Sequence, residues 1–154
     1  MIVQKTSVFP ADRDAVFQSL LKPATLQYIA RPYVAFDPVE GASVRWTAGS
    51  TSAYRLRLFG RIPFGTHTIH IVRSDPEGIS SREGNEHVPV WDHDIRLRRL
   101  DDGRTEYTDR VEIRAGWKTW FVWLWASAFY AHRQRRWIRL LEENRGGTTG
   151  IPVK

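Results

Sequence analysis

Two residues of this 154-residue sequence, His93 and Asp109, have side chains that could perform acid–base chemistry together. A carboxylate that accepts a hydrogen bond from one imidazole nitrogen orients the ring, and the other nitrogen can then act as a general base or in a proton relay. Both residues lie in stretches where apolar and polar residues alternate, as in a half-buried β-strand. His93 shares the apolar phase of Trp91, and Asp109 shares that of Tyr107. The pattern therefore predicts a His–Asp pair on the inward face of a sheet.

The same alternation brings further polar side chains to the inward face. Tyr54 shares the phase of Leu56, and His67 shares the phase of Ile69. An apolar face with a few converging polar groups is typical of a small-molecule site. The candidate ligand-binding residues of the sheet are Tyr54, His67, Trp91, His93, Tyr107 and Asp109.

His93 and Asp109 also have a purely structural interpretation. An inward histidine often serves as a hydrogen-bonding group of the core, and an inward aspartate often binds backbone amides or an arginine. The two residues are therefore candidates for catalysis only as a pair. Ligand contact by His93 does not require catalysis.

Other catalytic and metal-binding patterns are not found in the sequence. There is no cysteine, which excludes a thiolate nucleophile and a cysteine-based zinc site. His67 and His70 are three residues apart, so on a strand they point to opposite faces. The sequence also lacks the H-E-x-x-H, Walker, G-x-S-x-G and dinucleotide-binding motifs. We therefore expect neither a metal ion nor a cofactor.

The composition, 42% hydrophobic, is that of a globular domain. The net charge of +6 permits attraction to nucleic acid or anionic lipid, but the arginines are scattered along the chain, so dedicated nucleic-acid binding is not expected. The apolar run over residues 117–131 includes Lys118 and is too short to cross a bilayer, which takes about 20 apolar residues. No signal peptide is predicted, and a cytoplasmic location is expected.

Periodicity and turn residues predict the elements that position these side chains. A strand over residues 2–9 is followed by short helices over 13–21 and 24–30. The predicted strands that follow cover residues 33–37, 43–47, 52–59, 66–73, 78–82, 90–100 and 105–114. A long helix over 117–144 closes a single domain, residues 1–145, and residues 146–154 are predicted to form a flexible tail.

One turn sets the register of the strands that carry the His–Asp pair. The loop at residues 101–103 has three residues with glycine last, which suits a type I turn followed by a G1 bulge. This loop places Asp109 opposite Ile95 and His93 opposite Val111. Asp109 and His93 are then diagonal neighbours on the inward face, within reach of each other.

The order of elements favours an α+β fold in which a curved antiparallel sheet of six to seven strands wraps around the long C-terminal helix. Three stretches resemble the SRPBCC, or START-like, superfamily, which includes the birch-pollen-allergen-like proteins and the polyketide cyclases. They are SVFPADRDAVFQSLLKPATLQYI, LFGRIPFGTHTIHI and TEYTDRVEIRAG, the last running into a helix with HRQRRWIRLL. The resemblance implies a helix-grip fold with a cavity for a small, mostly apolar ligand.

Two functions are compatible with such a cavity. The first is binding of a lipid, polyketide or aromatic metabolite by a carrier or sensor. The alternative is a cofactor-free cyclase, dehydratase or hydrolase that acts on a polyketide-like or aromatic substrate. The sequence favours binding, because no pair of residues requires chemistry.

Four tryptophans within nine residues mark the start of the C-terminal helix. On a helical wheel, the arginines that follow them define the solvent side, which assigns Trp120 and Trp123 to the core and the cavity wall. The residues above the arginines form an apolar patch: Trp117, Phe121, Leu124 and Trp125. Such a patch is covered by the same chain, by a second copy in a homodimer, or by a membrane surface.

Overall fold

The computed structural model describes residues 1–146. Its elements are β1 (Ile2–Phe9), α1 (Arg13–Leu20), α2 (Pro23–Ala30), β2 (Val34–Pro38), β3 (Thr51–Leu58), β4 (Ile62–Asp75), β5 (Gly78–Gly84), β6 (Val90–Arg99), β7 (Thr105–Arg114) and α3 (Thr119–Arg145). The strands form one antiparallel sheet in the order β1-β7-β6-β5-β4-β3-β2. Helix α3, with 27 residues, lies across the sheet and packs on β1 and β7. The predicted helix-grip architecture is confirmed.

The two short helices begin where local chemistry favours it. Asp12 caps α1, because its carboxylate accepts hydrogen bonds from the backbone nitrogens of Asp14 and Ala15 at 2.9 and 3.2 Å. Pro23 starts α2, a position where its missing N–H leaves no helical hydrogen bond unmade. Among residues 1–146, no helix is long and apolar enough to cross a membrane.

The β6–β7 hairpin has the register that its loop predicts. His93 lies opposite Val111, and Ile95 lies opposite Asp109. The loop that sets this register carries Gly103 at a φ of 76°, the left-handed conformation required by the bulge. The sequence alone therefore predicted which residues of β6 and β7 face inward.

The predicted strand over residues 43–47 is wrong, because this segment is a loop. It pairs with no strand of the sheet; the nitrogen of Trp46 donates to the carbonyl of Leu21, the cap of α1, at 2.8 Å, and the nitrogen of Ser43 donates to the Ser52 hydroxyl at 2.9 Å. The loop inserts the Trp46 side chain, which is 6% exposed, into the core beside Tyr54. At the other end of the chain, α3 ends with Gly146 as its cap. The rest of the predicted tail, residues 147–154, lies outside the described residues.

The core face of helix α3 overlaps the predicted one but is rotated from it. Its buried residues are Ala126, Phe129, Tyr130, Arg133, Gln134, Trp137, Leu140 and Leu141. Two polar side chains, Arg133 and Gln134, lie in the middle of this face. The sequence analysis placed the arginines of the helix on its solvent side, so it could not predict that these two polar residues are buried. The predicted core face is therefore rotated relative to the observed one.

The rotation changes the positions of three tryptophans. The core assignment of Trp120 is wrong, because this side chain is 53% exposed. Trp123 is half-buried at the sheet edge, where its indole nitrogen donates to the carbonyl of Ile2 at 2.8 Å. The placement of Trp125 in an outer patch is also wrong, since it packs against the hydrophobic core. The side chain of Trp125 stacks on Phe129 instead of facing solvent.

Gly78 provides a test of the sheet's packing, because a side chain there would overlap the carbonyl oxygen of Ile95 on β6. Its φ of 144° is unfavourable for other residues as well. We expect Gly78→Ala to lower the free energy of unfolding by about 2–4 kcal/mol. Urea unfolding followed by circular dichroism measures the loss.

Gly103→Ala is the matched control, because Gly103 also has a positive φ but has nothing within 4 Å of an added Cβ. Only the backbone strain of about 1–2 kcal/mol should appear there. Equal losses in the two variants would contradict the close approach of β5 to β6.

Candidate functional site

A cavity of about 290 Å³ lies between the sheet and α3. Most of its lining is aliphatic or aromatic. The floor is formed by inward-facing isoleucines of the sheet: Ile69, Ile71, Ile79 and Ile95. Four aromatic side chains form a second part of the lining, which we name the aromatic wall. They are Trp91 on β6 and Trp125, Phe129 and Tyr130 on α3. The space is thus shaped for an apolar molecule.

A chain of polar side chains crosses the sheet along the cavity, and His67, Glu83 and His93 of this chain form part of the lining. Nε2 of His67 on β4 lies 2.9 Å from Oε2 of Glu83 on β5. The other carboxylate oxygen of Glu83 accepts a hydrogen bond from Ser81 and lies 4.0 Å from Nδ1 of His93. Nε2 of His93 is 2.8 Å from Oδ1 of Asp109 on β7. Two imidazoles and two carboxylates therefore alternate across four adjacent strands.

Helix α3 completes the chain at its Asp109 end. Oδ2 of Asp109 accepts a hydrogen bond from Nε2 of Gln134 at 3.1 Å, and Oδ1 accepts one from the Tyr107 hydroxyl at 3.1 Å. The guanidinium of Arg133 donates to the Tyr107 hydroxyl at 3.3 Å and lies 3.7 Å from Oδ1 of Asp109. Asp109 is completely buried, and Arg133 is 4% exposed.

The strand register explains why these side chains meet. Ser81 lies opposite His93, so Glu83, two residues further along β5, falls on the same inward face. Glu83 also pairs with Ile69, which makes it a diagonal neighbour of His67. The chain thus follows one inward-facing row of the sheet.

The electrostatics of the chain favour ionised carboxylates. Burial alone would raise the pKa of Asp109, but the charge of Arg133 and the hydrogen bond from His93 outweigh it, so the pKa lies below its usual value. Burial is likewise outweighed for Glu83, whose pKa is lowered by the hydrogen bond from His67. Burial raises the pKa of Tyr107, which keeps its hydroxyl protonated as a hydrogen-bond donor.

This arrangement determines which imidazole nitrogen can react. An ionised carboxylate only accepts hydrogen bonds, so Nε2 of His93 carries the hydrogen that faces Asp109. In the neutral ring, Nδ1 of His93 then carries the lone pair and lies 4.0 Å from Oε1 of Glu83. The Tyr130 ring lies edge-on to His93 with centroids 5.2 Å apart, and its hydroxyl accepts from the Trp91 indole at 3.0 Å. The geometry can orient a polar ligand group or transfer a proton.

The structure brings together some of the predicted site residues and separates others. His67, Trp91 and His93 line the cavity. Three predicted residues are buried beside or beneath the lining without forming part of it: Tyr54, Tyr107 and Asp109. Two lie away from the lining: Trp120 and Trp123. Two residues predicted for the outer patch line the cavity: Trp125, which is half-buried, and Phe121, which is also 60% exposed as the patch prediction requires.

The sequence analysis missed Glu83, Arg133 and Tyr130 as polar groups of the cavity. The predicted strand over 78–82 ends one residue before Glu83, although the alternation of Ile79 and Ser81 continues to it. Arg133 lies three residues after Tyr130 on the core face of α3, a spacing that could have indicated its burial.

Residues 1–146 contain no group of three or more histidine, aspartate or glutamate side chains arranged to hold a metal ion. The polar chain is held together by hydrogen bonds within the protein.

Comparison with protein families gives a match over most of the chain. The model of the family described as Domain of unknown function (DUF8410) matches residues 7–141. The chain belongs to this family. No curated protein matches it.

Solved structures with the same fold cover nearly the whole chain. The Zhui aromatase/cyclase from Streptomyces sp. R1128 has a TM-score of 0.71 and 18% identity, over 98% of this chain and 99% of that chain. A START superfamily protein from Mycobacterium smegmatis has a TM-score of 0.71 and 14% identity, over 92% and 97%. Ara h 8.0201 has a TM-score of 0.59 and 14% identity, over 88% and 97%. The DUF8410 chain therefore has the START-like helix-grip fold.

Glu83→Gln tests whether the buried carboxylate stabilises the fold. The folded-state pKa of Glu83 is below the ordinary value of 4.5, so its contribution is complete above that pH and is lost as the pH falls through the folded-state pKa. The wild type should exceed Glu83→Gln in free energy of unfolding at about pH 7, and the difference should shrink below about pH 4.5. Urea unfolding at a series of pH values measures it.

Glu86→Gln is the control, because it removes the same charge from a side chain that is 61% exposed. Exposed charges contribute little, so this variant should stay close to the wild type. A wild-type advantage over Glu83→Gln that does not change with pH would contradict the ionised state of Glu83.

Proposed function

We propose that this protein binds a small hydrophobic ligand between the sheet and α3, as a carrier or sensor. The cavity itself carries the proposal: about 290 Å³ of space has mainly apolar walls and a few converging polar groups. Its volume is close to the lower end of the range for ligand pockets, about 300–1,000 Å³. The START-like fold supports a ligand-binding role of this kind.

The aromatic wall favours a planar, aromatic ligand over a flexible chain. Trp125 and Phe129 stack with centroids 5.1 Å apart and planes inclined by 12°, and Trp91 meets Trp125 edge-on at 6.3 Å. Such rings offer flat faces and edges to which another ring can pack in offset or edge-to-face geometry. Among lipids, polyketides and aromatic metabolites, the ring-containing classes fit this wall best.

A specific observation supports a second candidate function, cofactor-free acid–base catalysis. His93 lines the cavity and is oriented by Asp109, the arrangement that a general base requires. A cyclase, dehydratase or hydrolase could use Nδ1 of His93 to accept a proton from a polyketide-like or aromatic substrate. The related solved structure described as an aromatase/cyclase is consistent with this alternative.

Native mass spectrometry of the protein purified from its own host tests both functions. A carrier or sensor should retain one apolar molecule and release it unchanged on denaturation. If the protein is an enzyme, a host metabolite that is incubated with it should be converted to a product of different mass. The rate of this conversion should fall in His93→Gln. A protein that carries no molecule and binds none of the host's apolar metabolites would contradict both.

Filling the cavity should abolish binding without unfolding the protein. Val122 is a half-buried residue of α3 that lines the cavity, so Val122→Phe places a ring in the ligand's space. We expect the mass-spectrometric occupancy to fall at least about tenfold, with at most about 1–3 kcal/mol lost in unfolding free energy. Val72→Phe, at a 52% exposed position of β4, is the matched control and should retain the ligand.

Two groups of exposed apolar side chains, at the β3–β4 turn and at the start of α3, form a surface that we name the apolar rim. We define it by the exposed residues Phe59, Ile62, Trp117, Trp120, Phe121 and Leu124. Phe121 is 60% exposed and also lines the cavity, so the rim and the interior are continuous. Phe59 is linked to the helix through Tyr33, whose ring is 5.9 Å from Phe59 and 6.3 Å from Trp125.

We propose that the rim docks on an anionic membrane surface, from which an apolar ligand could enter the cavity. Exposed tryptophan and phenylalanine beside basic residues suit the lipid headgroup region. Lys118 caps α3 between the rim residues Trp117 and Trp120, and Arg61 lies between Phe59 and Ile62. Glu86 on the neighbouring loop is acidic, but the chain as a whole carries +6.

Sedimentation with vesicles tests the docking surface. The wild type should bind phosphatidylglycerol vesicles more strongly than phosphatidylcholine vesicles, and the combined variant Trp120→Ser, Phe121→Ser should lose most of this binding. Val44→Ser, which removes a 91% exposed valine outside the rim, should bind like the wild type. A dimer in light scattering that the rim variant disrupts, without vesicle binding, would show that a second copy covers the rim.

A further inference from the structure

Arg133 is a buried cation whose hydrogen bonds are incomplete. It is 4% exposed, and its guanidinium makes one protein hydrogen bond, to the Tyr107 hydroxyl at 3.3 Å, while Asp109 lies 3.7 Å away. Its Nε is buried and has no partner among the described protein atoms. A guanidinium has five N–H donors, and a buried donor without a partner destabilises the protein.

A second unpartnered donor lies one helical turn further along α3. Trp137 is completely buried, and its Nε1 also has no partner among the described residues. Residues four apart lie on the same helix face, and both Arg133 and Trp137 line the cavity. The helix side of the cavity lining therefore includes two side chains that each have an N–H group without an acceptor among the described residues.

We infer that the ligand is a neutral, mainly aromatic molecule with a carbonyl-type oxygen that accepts a hydrogen bond from Arg133, with Trp137 as a second donor. The inference rests on the proposed ligand-binding function and specifies the ligand's chemistry. A pure hydrocarbon would leave both donors unpaired in the bound state. An oxygen acceptor satisfies at least the charged donor, whose hydrogen bond is the stronger of the two.

The buried charges argue against an acidic ligand. Glu83 and Asp109 are both ionised carboxylates of the polar chain, and Asp109 already lies beside the Arg133 guanidinium. A ligand carboxylate would bring a third negative charge into a site where burial makes each unpaired charge costly. A ketone or ester oxygen accepts the same hydrogen bond without that charge.

Three probes with the same ring system separate these possibilities: naphthalene, methyl naphthyl ketone and naphthoate. Calorimetric titration of the purified protein should show the ketone binding at least about tenfold more tightly than either of the others. Failure of all three to bind would refute the proposed function, and this inference with it. Naphthalene or naphthoate binding as tightly as the ketone would refute the inference alone, and would indicate that water satisfies the donors.

Arg133→Lys identifies the donor, because it keeps a positive charge near Asp109 but removes the guanidinium. The preference for the ketone over naphthalene should fall several-fold in this variant. The combined variant Arg133→Met, Asp109→Asn removes both charges together. It replaces Arg133→Lys in the same titration if the lysine variant does not fold. An undiminished ketone preference in either folded variant would contradict the role of Arg133.

Trp137→Phe tests the second donor without changing the charge of the site. It keeps an aromatic ring in the core but removes the indole N–H. We expect a smaller fall in ketone preference than in Arg133→Lys. A larger fall would reverse the assignment of the two donors.

Discussion

Asp109 is the group on which the arrangement of sheet and helix depends. Its carboxylate is completely buried and accepts hydrogen bonds from His93 on β6, Tyr107 on β7 and Gln134 on α3. Gln134 in turn donates to the carbonyl of Lys5 on β1 at 2.8 Å. A buried charge requires such partners, because the free energy lost with its hydration must be offset. Three strands and the helix are therefore held in one relative position.

The main effect of the polar chain that begins at Asp109 is on the chemistry of the cavity, and its effect on the stability of the protein is smaller. Buried ion pairs gain Coulombic energy but lose hydration, so their net contribution to folding is often small. Their geometry, in contrast, is strict, since each imidazole must face a carboxylate. A mainly apolar cavity with this chain in its wall has a fixed set of polar groups on the sheet side, and Arg133 on the helix side.

Helix α3 combines three environments along its length. Its C-terminal half buries Trp137 and Leu140 in the core, and its middle supplies Phe129 and Arg133 to the cavity. Its first turns expose apolar side chains, among them Phe121, at the opening. A single rigid element therefore connects the solvent-facing rim to the buried polar chain. This continuity explains why so many aromatic residues are concentrated in one segment of the sequence.

Strand periodicity and turn length were sufficient to predict the architecture and the meeting of His93 with Asp109, because both depend on neighbouring segments of one hairpin. The position of α3 could not be predicted in this way. Arg133 and Gln134 are polar by type, and only their partners on β1 and β7 make their burial favourable. The place of Trp46 likewise depends on contacts with distant residues. The sequence by itself determined the strands and the inward row of the central hairpin, whereas the tertiary structure decided the rotation of the helix and the cavity's walls, because these depend on contacts between elements far apart in the chain.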